Sequence, residues 1–181
     1  MKKSIVAIAF IIATAIGAQA QEIGGRVGDL GGNNVAFDAV FSMGELSRIH
    51  ADVSFGVDRY NGYDNNFGVG VDVLWDFFYK PFSIGGEDGF HWYAGVGPSL
   101  FAGGRGGFHH YNRNDYYNNN NYNDYYDNIF LFGVSGEFGM EYHFDFPLAV
   151  GVDVRPTLWI VEDTFLDPFS AGVMARYVFG R

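Results

Sequence analysis

No cysteine occurs in the 181 residues. That absence excludes a disulfide scaffold, a zinc-thiolate site, a cysteine nucleophile and a lipid-modified N-terminal cysteine. Positive charge is also scarce: 11 Lys plus Arg face 21 Asp plus Glu, and the formal net charge is −10. Attraction to phosphate needs the opposite excess, so no nucleic-acid partner is expected. Only Lys2, Lys3 and Lys80 are lysines. Long apolar runs are missing past residue 20, where nothing approaches the ~20 residues a membrane-spanning helix requires. A helical membrane protein is thereby excluded, whereas a membrane barrel is not. Aromatic residues, by contrast, make up 19% of the chain and glycines number 26. Aromatics at that density bury too much apolar surface for a disordered chain, and the length suits one domain.

The N-terminus has the three parts of an export signal. Lys2 and Lys3 precede an apolar stretch over residues 5–16, and Ala18-Gln19-Ala20 supplies the small-x-small pattern of a signal-peptidase site. Residues 1–20 are therefore expected to be cleaved. Residues 21–181 then form a single domain beginning at Gln21.

Beyond the signal, alternation with period 2 dominates, the pattern of strands with one apolar and one polar face. Phe169, Ala171, Val173, Ala175, Tyr177 and Phe179 oppose Ser170, Gly172, Met174 and Arg176. Val150, Val152, Val154, Pro156 and Leu158 oppose Gly151, Asp153, Arg155 and Thr157. Phe130, Phe132, Val134, Phe138, Met140 and Tyr142 oppose Ser135, Glu137, Glu141 and His143. Phe90, Trp92, Ala94, Val96 and Leu100 oppose His91, Tyr93, Gly95, Gly97 and Ser99. The same reading covers residues 67–79, with Asp72 and Asp76 on the polar face, and 49–57, with His50, Asp52 and Ser54 there. Two weaker segments, 23–30 and 35–43, place Arg26 and Asp38 on it.

Eight such segments predict an all-β fold: an antiparallel up-and-down barrel of eight strands that crosses a membrane and has a side-chain-filled polar lumen. An even number returns both ends of a meander to one side. The connectors alternate, with 44–47, 81–89 and 145–147 mostly compact, and 59–66, 104–127 and 162–168 longer and more polar. Short turns on one side and long loops on the other match outer-membrane barrels. A soluble barrel with an apolar interior, binding apolar ligands, is the rival. Against it, the polar face is rich in Gly and Ser, and its acids are opposed by Arg without Lys. Trp75, Phe77, Tyr79, Phe90, Trp92, Tyr142, Phe144, Tyr177 and Phe179 would also form an aromatic girdle at one membrane interface.

The signal, the eight segments and the final Ala175-Arg176-Tyr177-Val178-Phe179 resemble the small outer-membrane β-barrel proteins of the OmpA/OmpX type. Such barrels often end on an aromatic residue that the insertion machinery recognises, whereas this chain adds Gly180 and Arg181. The resemblance implies a monomer in the outer membrane, with lipid and the barrel-assembly machinery as partners.

The polar face supplies the first candidate site. Arg26, Arg155 and Arg176, with Asp38, Asp52, Asp72, Asp76, Glu137, Glu141 and Asp153, are expected to form a lumen network in which guanidinium groups bridge carboxylates. Arg155 and Arg176 lie on neighbouring strands and are expected to share a carboxylate such as Glu137 or Glu141. Acids outnumber arginines, so the others must be hydrated, protonated or paired with His50 or His143. The same parts permit a rim hydrolase built from Ser99, Ser135, His50 or His143, but no spacing is diagnostic and no catalytic activity is expected. No cofactor is expected either. His109-His110, with Asp115 or Asp124, could hold a metal only weakly, in a loop without thiolates.

The most distinctive segment is the loop over residues 104–127. It holds Tyr111, Tyr116, Tyr117, Tyr122, Tyr125 and Tyr126, half the tyrosines of the chain, among runs of Asn and Asp. Tyr and Asn give adaptable contact at low entropy cost, as in antibody paratopes. An adhesive surface for an extracellular protein or glycan is one reading, and an unconstrained low-complexity segment is the other. Pro98 and Pro156 fall on apolar strand faces, where a bulge or the outer rim is expected.

Overall fold

Each alternating segment is a strand in the structure, a computed structural model that describes residues 21–180 except 31–32, 45, 61–63, 105–127 and 162–163. The expected signal peptide and all six loop tyrosines therefore lie outside the described residues. The strands are β1 (Glu22–Leu30), β2 (Asn33–Ser42), β3 (Arg48–Tyr60), β4 (Asp64–Ile84), β5 (Glu87–Gly104), β6 (Asn128–His143), β7 (Leu148–Trp159) and β8 (Phe165–Val178). Each pairs antiparallel with its sequence neighbour, and β1 pairs with β8, so the sheet closes into an eight-stranded up-and-down barrel. Among the described residues no helix is long and apolar enough to cross a membrane.

Which face points inward follows from burial. Along β7 the pattern alternates strictly, with Asp153, Arg155 and Thr157 buried and Val152, Val154 and Leu158 exposed. On β6, Glu137 and Glu141 are buried while Phe138 is 54% exposed and Met140 44%. Among the described residues 25 large apolar side chains are exposed and only 13 apolar ones are buried. The apolar face is thus the outside, and the interior is polar.

Several expectations need correction. The connectors expected at 59–66 and 162–168 are partly strand, since β3 runs to Tyr60, β4 begins at Asp64 and β8 begins at Phe165. The connector expected at 81–89 is strand on both sides of a two-residue turn, Gly85-Gly86, with φ of 63° and 92°. Left-handed conformation at both positions matches the strand twist, and glycine adopts it without steric cost. Tyr79 was expected on the outer face with the other aromatics, but the β4–β5 register shifts between Asp76 and Phe78. The extra residue turns Tyr79 inward, where its hydroxyl lies 3.3 Å from His143 Nε2. Of the two prolines, Pro156 coincides with a register shift in the β7–β8 ladder. Pro98 does not: β5 keeps one register on both sides of it, and Pro98 pairs with Val134 on β6.

Aromatic rings gather on the outer face toward the end that holds both termini. Trp75 and Phe77 are each 51% exposed and pack edge to face with centroids 6.0 Å apart. Phe82, Phe90, Tyr142, Phe144 and Phe146 form a continuous row with neighbouring centroids 4.7 to 5.6 Å apart. Tyr177 and Phe179 continue the belt, 5.0 Å apart.

Candidate functional site

The barrel interior brings together side chains from opposite ends of the chain, such as Glu22 and Arg176. An eight-stranded barrel is just wide enough for its inward side chains to fill. Four arginines occupy it, Arg26 on β1, Arg48 on β3, Arg155 on β7 and Arg176 on β8, each no more than 2% exposed. Arg26 Nε donates to Asp153 at 2.9 Å. Gly172 makes room for that guanidinium, since a Cβ there would lie 2.5 Å from Arg26 Nε.

Arg155 is the hub of the middle storey. It pairs with Asp52 from β3, with Glu137 from β6 at 2.9 Å and with Asp153 on its own strand at 3.1 Å. Asp72 stands farther off at 3.6 Å and is partly open to solvent. Beside the hub, His50 Nε2 lies 2.7 Å from Asp38 and its Nδ1 3.0 Å from Glu137. A carboxylate on each ring nitrogen requires both to donate, which only the imidazolium does.

Nearer the termini, Arg176 pairs with Glu141, with Glu22 at 3.1 Å and with Asp38 at 3.7 Å. Arg48 donates from Nε to Asp76 at 2.6 Å and from Nη1 to Glu141 at 2.7 Å. Its guanidinium sits 4.3 Å from the Tyr79 ring and 4.4 Å from the Tyr93 ring. His143 Nε2 lies 2.8 Å from Glu141. Toward the other end hydroxyls join the interior, in a chain from Ser99 to Ser135 at 2.6 Å and on to Thr157 at 2.5 Å. A cavity of about 20 Å³ between Asp72, Arg155, Thr157 and Trp159 has room for about one water.

The expected network residues Arg26, Asp38, Asp52, Asp72, Asp76, Glu137, Glu141, Asp153, Arg155 and Arg176 all face this interior. One expected detail is corrected. Arg155 and Arg176 share neither Glu137 nor Glu141, because Arg155 takes Glu137 and Arg176 takes Glu141. The shared acids are Asp153, between Arg26 and Arg155, and Glu141, between Arg48 and Arg176.

Sequence reasoning missed Arg48 and Glu22. Each begins its strand one residue before the alternation becomes evident, and extending the period by one residue would have found both. Ser99 and Ser135 bond each other and Thr157, while His50 and His143 lie against carboxylates. In these contacts neither Ser99 nor Ser135 meets a histidine. His109 and His110 lie outside the described residues. No protein-family model, no curated protein and no solved structure matches the chain.

Proposed function

We propose that this chain is an integral outer-membrane β-barrel, closed by its own lumen side chains, with a structural or surface-recognition role and no catalytic activity. The observation that carries the reading is the inversion of polarity. Arg26, Asp38, Glu137 and Arg155 are sealed inside, while Phe138, Val152, Val173 and Tyr177 are outside. In water such a coat is unfavourable, because soluble monomers keep their contiguous apolar patches to a few hundred Å². In lipid it is the favourable exterior, and a closed ladder leaves no strand edge to be satisfied.

The outer aromatic belt then lies at the periplasmic interface, on the side of both termini. The segment over residues 104–127, with Tyr111, Tyr116, Tyr117, Tyr122, Tyr125 and Tyr126, faces outward as the recognition surface for an extracellular protein or glycan. The chain works as a monomer, delivered by its N-terminal signal and inserted by the barrel-assembly machinery, as in the OmpA/OmpX-like barrels it resembles.

Fractionation of the expressing cell, with gel migration compared before and after boiling, tests the reading. A membrane-retained band that migrates differently once boiled is expected. Recovery of the mature chain as a freely soluble protein would overturn it.

A further inference from the structure

At the end that holds the termini, β4 outruns the closed part of the barrel. Its ladder with β3 stops at Asp76 opposite Arg48, whereas its ladder with β5 continues to Ile84 opposite Glu87. Residues 77–84 therefore pair on one side only. Among the described residues no backbone hydrogen bond joins their other side to a strand or turn. Such an edge is a template on which another strand adds by backbone hydrogen bonds.

Most of its composition favours that addition. Phe77, Phe78, Tyr79, Phe82 and Ile84 are aromatic or β-branched, the types most at home in strands. Phe77 and Ile84 are each 51% exposed. On the outer face the Phe78 and Trp92 ring centroids lie 4.0 Å apart, and those of Phe82 and Phe90 5.6 Å apart. Lys80 shares this face, with its Nζ 4.9 Å from the centre of the Phe78 ring. A second copy of the chain carries the same edge, and two copies of one edge meet about a twofold axis.

The two residues that interrupt this composition, Lys80 and Pro81, stand at the middle of the edge. A twofold antiparallel pairing that keeps like faces together is centred on a residue, because strand side chains alternate. Centred on 80, it takes in 77–83 and sets Phe78 against Phe82 of the second copy. It also sets Lys80 against Lys80 of the second copy, and like charges directly opposite destabilise a ladder. Centred on 81, it takes in 78–84 and sets proline against proline, each without an amide to donate. Any other centre shortens the overlap.

We propose that Lys80 and Pro81 block this edge and so keep it from pairing with a second copy of the chain. The block rests on the ladder alone, so its failure and that of the membrane reading are separable.

The test uses the full mature chain, in detergent if it fractionates with membranes and in buffer if it does not. Sedimentation gives the mass of the protein, and hydrogen exchange read by mass spectrometry reports the amides over 77–84, which slow when they become bonded. Wild type should be a monomer. Lys80→Val/Pro81→Val should reach twice that mass as its concentration rises, with slower exchange over 77–84 than in wild type. A double variant that stays monomeric at the highest concentration reached, a dimer with no added protection over 77–84, or a wild type already paired there would each overturn the proposal. If the double variant does not fold, Lys80→Val alone decides by the same two readings.

Discussion

The guanidinium of Arg48 lies 4.4 Å above the ring of Tyr93, joining a charge from the start of β3 to an aromatic residue on β5. Tyr93 takes its place over the glycine across the ladder. Tyr93 pairs with Gly139, where a Cβ would come within 2.3 Å of the tyrosine Cζ and 2.4 Å of its hydroxyl. The absent side chain on β6 thus makes the space that lets Tyr93 support Arg48.

Gly139→Ala should therefore destabilise the barrel by about 1–3 kcal/mol, the usual range for forcing an extra carbon into a packed site. Urea unfolding followed by tryptophan fluorescence measures the loss. Adding Tyr93→Leu should recover part of it, because two substitutions at one contact are not additive. Purely additive losses would show that the Gly139–Tyr93 contact is not the cause.

Arg155→Ala should cost more. It leaves Asp52, Glu137 and Asp153 without their common cation. Removing one partner of a buried ion pair typically costs about 3–5 kcal/mol. The melting temperature in the same detergent or buffer should fall clearly below that of wild type. An unchanged value would mean that the network does not hold the fold together.

The outer face offers a test of its surroundings. Val152 is 47% exposed within β7. Lysine there should cost about 2–4 kcal/mol if lipid covers the position near the bilayer midplane. A water-exposed position should stay within about 0.5 kcal/mol. Folding into vesicles, compared for wild type and Val152→Lys, separates the two outcomes.

The segment proposed for recognition should be removable. The β5–β6 ladder extends to Gly104 opposite Asn128, so the two strands already meet at the base of the segment. Replacing residues 105–127 with Asn-Gly, a dipeptide suited to a two-residue hairpin turn, should leave the boiling-dependent gel shift intact. On the recognition proposal, surface binding to extracellular glycans or proteins should disappear. Misassembly of the shortened chain would instead give the segment a role in folding.

Strand number, strand order and the face on which nearly every residue lies follow from the alternation of residue types alone. Period-2 alternation survives translation into structure because successive strand residues point to opposite sides. That is why Arg26, Asp38, Glu137 and Arg176 could be assigned to one interior before any contact was known. Alternation also has blind spots. A strand's first residue carries no period of its own, which hid Glu22 and Arg48, and a single bulge inverts everything after it, which misplaced Tyr79.

Partnership comes from the closed barrel. Which carboxylate meets which guanidinium depends on the stagger between strands and on the gaps left by Gly139 and Gly172. Period fixes the face; closure of the barrel brings Arg26 to Asp153 and His50 to Glu137 from opposite parts of the chain.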